Sequence, residues 1–255
     1  MGFLIILLVL LVGMGVFLLC TQKYVNPYKL IMIFGKKGSG KSTTLTKLAL
    51  THISKGWTVY STEFIPGTYF ITPDMVGKVQ LEDFNYKPFN PDNYKGLIKY
   101  FMIAKDYFFP RRAKILLLID EVGMIWDNRD FKNFKTHVRD FFKLERHYYV
   151  KCYLFSQTFD IDKKLRDLTD AMYLVSNVAR VFVYGKKIRK YITIKESLND
   201  NASTLSEGME FEPFLLWFLG TRTLTFIPKW SKYFNSFVAP ELEKVTFRKQ
   251  EFEKE

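Results

Sequence analysis

Residues 3–20 read FLIILLVLLVGMGVFLLC, and no ionisable side chain falls anywhere within residues 1–21. At about 1.5 Å per helical residue, roughly 18 apolar positions reach across a hydrocarbon core of about 30 Å. The pattern predicts one transmembrane helix, with a buried core helix as the alternative. A cleaved signal peptide would want a basic start and small residues before the cut, whereas Phe17-Leu18-Leu19 precede Cys20. Lys23, Lys29, Lys36 and Lys37 follow the run and nothing basic precedes it. The positive-inside rule then puts the N-terminus outside and the remainder in the cytoplasm.

Beyond the run, the hydrophobic period switches repeatedly between that of strands and that of helices. YKLIMIFG is a short apolar strand ending at Gly35, and KSTTLTKLALTHISKG has helical spacing up to Gly56. WTVYSTE predicts a second strand. Pro and Gly break the next stretch into loops with a short hairpin, after which NYKGLIKYFMIAKDYFF predicts a helix stopped by Pro110. AKILLLIDE and KCYLFSQ have the continuous apolar character of buried parallel strands. Between them Phe131, Phe134, Val138, Phe141, Phe142 and Tyr149 recur at helical spacing, beside a basic stripe of Lys132, Lys135, Arg139, Lys143 and Arg146. IDKKLRDLTDA predicts a further helix. AMYLVSN, RVFVYG and RKYITIKE predict strands, the last two a hairpin with Lys186 and Lys187 at its turn. Strands alternating with helices specify an α/β fold with a mainly parallel sheet. The expected organisation is an anchor over 1–21, a catalytic domain over 22–199 and a C-terminal extension over 200–255, where the pattern weakens.

Charge changes this picture in one respect. The net charge is +12, and residues 1–21 contribute nothing to it, while 241–255 hold five Glu against four basic residues. The middle of the chain is therefore strongly basic and suited to polyanions or an anionic membrane surface, or simply rich in solvated Lys. Aromatic residues make up 17% of the chain and often adjoin Lys, an arrangement that suits stacking on single-stranded DNA, although a coding bias gives the same look. Cys20 and Cys152 are far apart, with no ligand spacing around either, so neither a disulfide framework nor a zinc site is expected.

The chemistry is concentrated where the first strand meets its helix. Gly35, Lys36, Lys37, Gly38, Ser39, Gly40, Lys41, Ser42 and Thr43 satisfy the phosphate-binding pattern G-x-x-x-x-G-K-[ST] in the context it requires. The glycines let backbone N–H groups face phosphates, Lys41 reaches the β and γ phosphates of ATP, and Ser42 can ligate Mg²⁺. Asp120, at the tip of an apolar strand, can hold the same metal through water, and Glu121 beside it can polarise an attacking water. Ser156-Gln157 ends the next strand and puts an amide beside the γ-phosphate position. Lys36 also marks the deviant loops of partitioning ATPases, but those keep a glycine where this chain has Lys37, and VYSTEFIPG offers only Glu63 as their acidic switch.

In this order and spacing, FGKKGSGKST, LLLIDEVGMIWDNRDF, LERHYYVKCYLFSQ and IDKKLRDL resemble the Zot (zonula occludens toxin-like) family of filamentous-phage assembly ATPases, relatives of the FtsK/HerA DNA-pumping enzymes. The likeness covers residues 28–185, and DEVGMIWDNR, with Gly123 and Arg129, is its most particular stretch. It implies a RecA-like sheet and ATP hydrolysis that drives virion assembly and extrusion through the host inner membrane. The implied partners are further copies of the chain, phage coat or assembly proteins, single-stranded DNA and membrane lipid. Motors of this kind complete the ATP site with an arginine from a neighbouring subunit, and Arg146 matches a family position, with Arg166 and Arg129 next. Many members carry their membrane span after the ATPase domain, whereas here it comes before. A DNA-packaging ATPase and a nucleotide-gated scaffold with little turnover remain as alternatives.

Overall fold

The computed structural model describes residues 2–22, 26–127, 134–158, 161–183, 186–196 and 223–233. Eight strands form one sheet in the order β3-β2-β4-β5-β1-β6-β7-β8. Strands β1 (Leu30–Phe34), β2 (Thr58–Ser61), β3 (Tyr69–Phe70), β4 (Ile115–Ile119), β5 (Val150–Ser156) and β6 (Ala171–Val183) run parallel, and β7 (Lys186–Glu196) and β8 (Thr223–Phe226) are antiparallel additions.

The central strands are apolar on both faces because both faces are covered. On one, Leu30, Met32, Leu117, Ile119 and Leu154 pack with Trp126, Val138, Phe142 and Leu165 from the segments carrying α4 (Val122–Ile125), α5 (Thr136–Leu144) and α6 (Lys163–Asp167). On the other, Ile31, Ile33, Leu116, Leu118 and Phe155 meet Leu45 and Ala49 of α2 (Lys41–Ser54). Every residue of β1 and β4 is buried. The parallel α/β architecture expected from the alternating periods is therefore present.

Several local expectations change. The proline-rich stretch after β2 yields no hairpin: β3 pairs with β2 in parallel, Tyr60 beside Tyr69. AMYLVSN and RVFVYG are one continuous strand, irregular between Asn177 and Ala179, because β7 pairs along its whole length. Lys186 and Lys187 belong to β7, opposite Val183 and Phe182, and so are not the turn. The helical pattern over 131–149 shortens to α5, since residues 145–149 turn and Tyr149 adopts a left-handed φ of 58° before β5. Phe131, Lys132 and Arg129 lie outside the described residues. Part of the expected C-terminal extension joins the sheet: β8 pairs with β7, and buried Thr225 accepts a hydrogen bond from Lys47 on α2 (2.7 Å).

The uncharged N-terminal run forms α1 (Gly2–Gln22), 21 residues long. Among the described residues no helix is long and apolar enough to cross a membrane. Within α1 the side chains described are those at positions 7, 9–17 and 21, a shorter stretch than a span. The transmembrane expectation gains no support from them.

Candidate nucleotide site

The loop between β1 and α2 lies at the carboxyl ends of the parallel strands. Gly38 (φ 72°) and Gly40 (φ 105°) take left-handed conformations, where a side chain would cost strain, and Gly40 caps α2. Gly35 donates its N–H to the Ser156 carbonyl (3.1 Å), tying the loop to the end of β5. A Cβ on Gly35 would collide with Ser39 Oγ. Lys36 and Lys37 point into solvent, while Lys41 is buried and donates from Nζ to the Gly35 carbonyl (3.0 Å). Ser42 and Thr43 occupy the first turn of α2.

Because β5 is inserted between β1 and β4, the strand ends that carry Gln157 and the acid pair stand next to each other on one side of the loop. Gln157 Nε2 donates to Glu121 Oε1 (2.7 Å), and the same oxygen lies 3.9 Å from Lys41 Nζ. Glu121 itself has φ 52°, an uncommon conformation for a residue with a Cβ. Asp120 is buried and accepts from the Glu121 N–H (2.9 Å), while its own N–H donates to Thr62 Oγ1 (3.0 Å). Burial pushes the Asp120 carboxyl up to about 6, the Glu121 N–H works against that, Glu121 and Glu63 add to it, and Lys41 opposes it. Glu63 is also raised, by burial first and then by Glu121. Gly123, in the first turn of α4, lies close to Ser156, whose Oγ a Cβ there would meet at 2.9 Å.

The donor set fits a nucleotide. Ser39 Oγ is buried without a hydrogen-bond partner, and the loop leads into the start of α2, where the first N–H groups of a helix have no partner within it and can receive phosphate. Among the described residues no cluster of three His, Cys, Asp or Glu side chains could hold a metal alone. A magnesium ion at Ser42 and Asp120 would draw its remaining ligands from phosphate and water, as this ion usually does.

Thr62 and the placement of Glu63 were not legible as site features, since neither belongs to a motif. Lys41, Asp120, Glu121 and Gln157 are brought together. Arg146 is not: it is exposed in the turn before β5, at the strand-start edge of the sheet, with Glu145 as its electrostatic neighbour. Of the basic stripe, Lys135 and Lys143 are exposed and Arg139 lies 3.4 Å from Asp140.

No protein-family model matches the chain, and no curated protein does. The N-terminal domain of zonular occludens toxin from Neisseria meningitidis is similar in structure at 15% identity and a TM-score of 0.43, over 82% of this chain and 99% of that one. The genome packaging NTPase B204 from Sulfolobus turreted icosahedral virus 2, in complex with AMP, matches at 11% identity and 0.40, over 74% and 98%. The flagellar accessory protein FlaH from Methanocaldococcus jannaschii matches at 14% and 0.37, over 72% and 89%.

Proposed function

We propose that this chain is an ATPase, anchored in the host inner membrane by α1 with its catalytic domain in the cytoplasm, that drives assembly and extrusion of a filamentous-phage particle. The observation that carries the hydrolytic part is the convergence of Lys41, Glu121 and Gln157 on one point beside the phosphate loop. Lys41 exchanges the Gly35 carbonyl for phosphate oxygens when ATP enters. Glu121, released by that movement of charge, accepts a proton from a water held against it, and Gln157 reports whether the γ-phosphate is still present. A magnesium ion, held by Ser42 and through water by Asp120, would supply positive charge beside the transferred phosphoryl group. The extrusion part rests on the sequence resemblance and on the uncharged helix α1. Further copies of the chain complete the site in a homo-oligomer, and coat or assembly proteins, single-stranded DNA and lipid are the other partners.

Phosphate release by the full-length protein in detergent micelles, with and without single-stranded DNA, tests this. Lys41→Ala abolishes ATP binding, and Glu121→Gln retains it while stopping turnover, because an amide takes no proton from water. Rapid hydrolysis by the Glu121→Gln protein removes Glu121 from the base role. Full ATP binding by wild type without turnover would favour the scaffold reading, for which the closed Lys41–Gly35 contact is the supporting observation.

A further inference from the structure

Helix α3 (Gly96–Phe108) is assembled inside out. None of its residues is buried, and those that come nearest to it, Lys99, Met102 and Asp106, share the face turned toward the protein. Leu97 is 87% exposed, Tyr100 73%, Phe101 69% and Tyr107 64%. A water-facing helix puts its polar stripe outward, so this orientation calls for an apolar medium. The helix also touches α1, whose described side chains are largely exposed as well.

Cations surround this apolar face. Residues 95–114 carry Lys95, Lys105, Arg111, Arg112 and Lys114 against the acid Asp106, while Lys99 on the inner face is paired with Asp92 (2.9 Å). Just beyond α3, a cleft of about 780 Å³ at the strand-start edge is lined by Lys55, Lys87, Arg111, Arg112 and Lys114 against the single acid Asp83, whose carboxylate accepts from the Lys114 N–H. Aromatics at the boundary and cations beside them are what an anionic headgroup layer selects. A second copy of the same surface would bring these cations against their own kind, which disfavours a self-complementary pair.

We propose that α3 is a membrane-surface helix, its Leu97–Phe101–Phe108 face immersed in an anionic lipid leaflet beside the point where α1 enters, with the basic cleft against the phosphate headgroups. This rests on the anchor reading of α1 given above. It makes the strand-start edge the membrane side and turns the nucleotide loop, at the opposite strand ends, toward the cytoplasm.

Site-directed spin labels on the full-length protein test it in vesicles of phosphatidylethanolamine and phosphatidylglycerol. Cys20→Ser leaves only Cys152, which is fully buried and resists labelling. Labels then go on Phe101→Cys, on Val12→Cys in α1, and on Met124→Cys, which is 81% exposed near the nucleotide loop. The expected result is a ratio of oxygen to nickel-chelate accessibility several-fold higher at positions 101 and 12 than at 124. A lipid-exposed label at 12 with a nickel-accessible one at 101 overturns the α3 proposal while leaving the anchor standing. Nickel access at both positions overturns both. A label at 101 shielded from oxygen and nickel alike means that protein covers the face, and that also overturns the proposal. Leu97→Cys repeats the reading one helical turn away.

Discussion

Asp120 is poised to make the site unstable when it is empty, and Asp120→Asn exposes the effect. The carboxyl stands at about 6 in the folded protein against 3.8 for the ordinary group. That gap corresponds to about 3 kcal/mol of preference for the protonated form in the folded state. The folded state holds the extra proton between these two values, so stability falls as pH rises through the window from 3.8 to about 6 and is flat above it. From pH 5 to pH 7.5 the wild-type protein should lose about 1.4 kcal/mol through this group alone, or about 3–6 °C in Tm for a chain of this size. Asn keeps the acceptor for the Glu121 N–H and carries no charge, so the variant lacks this decline. The assay is thermal unfolding of the nucleotide-free full-length proteins in one detergent at both pH values. The difference between variant and wild type, whatever its absolute size, should shift in favour of the variant by that amount on going to pH 7.5. Addition of magnesium and ATP should stabilise the wild type and not the variant. An identical wild-type-to-variant difference at pH 5 and 7.5 would refute the argument that burial and neighbouring carboxylates strain this group.

One further outcome follows from the geometry and one from the resemblance, which assigns Arg146 to a neighbouring copy's site. Gly35→Ala places a Cβ against Ser39 Oγ, 3.1 Å from the Val175 carbonyl and 3.3 Å from Lys41 Cγ. Ser39 can rotate but the carbonyl cannot, so ATP affinity, read by calorimetry, should fall at least tenfold, about 1.4 kcal/mol, with a smaller loss of thermal stability. Arg146→Ala should still bind ATP yet lose hydrolysis, and mixing it with Lys41→Ala should restore part of the activity at mixed interfaces. Absence of rescue despite proven co-assembly would leave Arg146 an exposed structural residue.

The buried strands and the phosphate loop were legible because their signals are local: an apolar run, then glycines and a lysine at fixed spacing. Asp120 and Glu121 could be assigned for the same reason, standing immediately after ILLLI. What escaped was set by partners distant in sequence. RVFVYG looked like a separate strand because Asn177 breaks the apolar alternation, yet pairing with β7 carries the ladder past that irregularity. β8 was missed since four residues, Thr223–Phe226, give too short a pattern, and only the edge of β7 and the Lys47 contact fix them. Arg146 was read as a residue for a neighbouring copy's site; within its own chain the seven-residue β5 puts it at the opposite edge of the sheet from Gln157. Periodicity revealed that 96–108 is a helix and could not reveal that its apolar side faces away from the protein.

The position of β1 in the middle of the sheet sets a timetable for biosynthesis. Both of its neighbours come late: Leu30 aligns with Cys152 of β5, and Ile31 with Ala171 of β6. At about 5–20 residues per second, the ribosome needs roughly 6–25 s to bring β5 out after β1 has emerged. Throughout that interval an apolar strand with two open edges waits, a hazard for mispairing with other nascent chains. Helix α1 precedes β1 in the chain and leaves the ribosome well before β5 can close the sheet. Gly35 donates to the Ser156 carbonyl at the end of β5, so the nucleotide loop takes its final form only once β5 has emerged, and until then the chain holds no complete phosphate site.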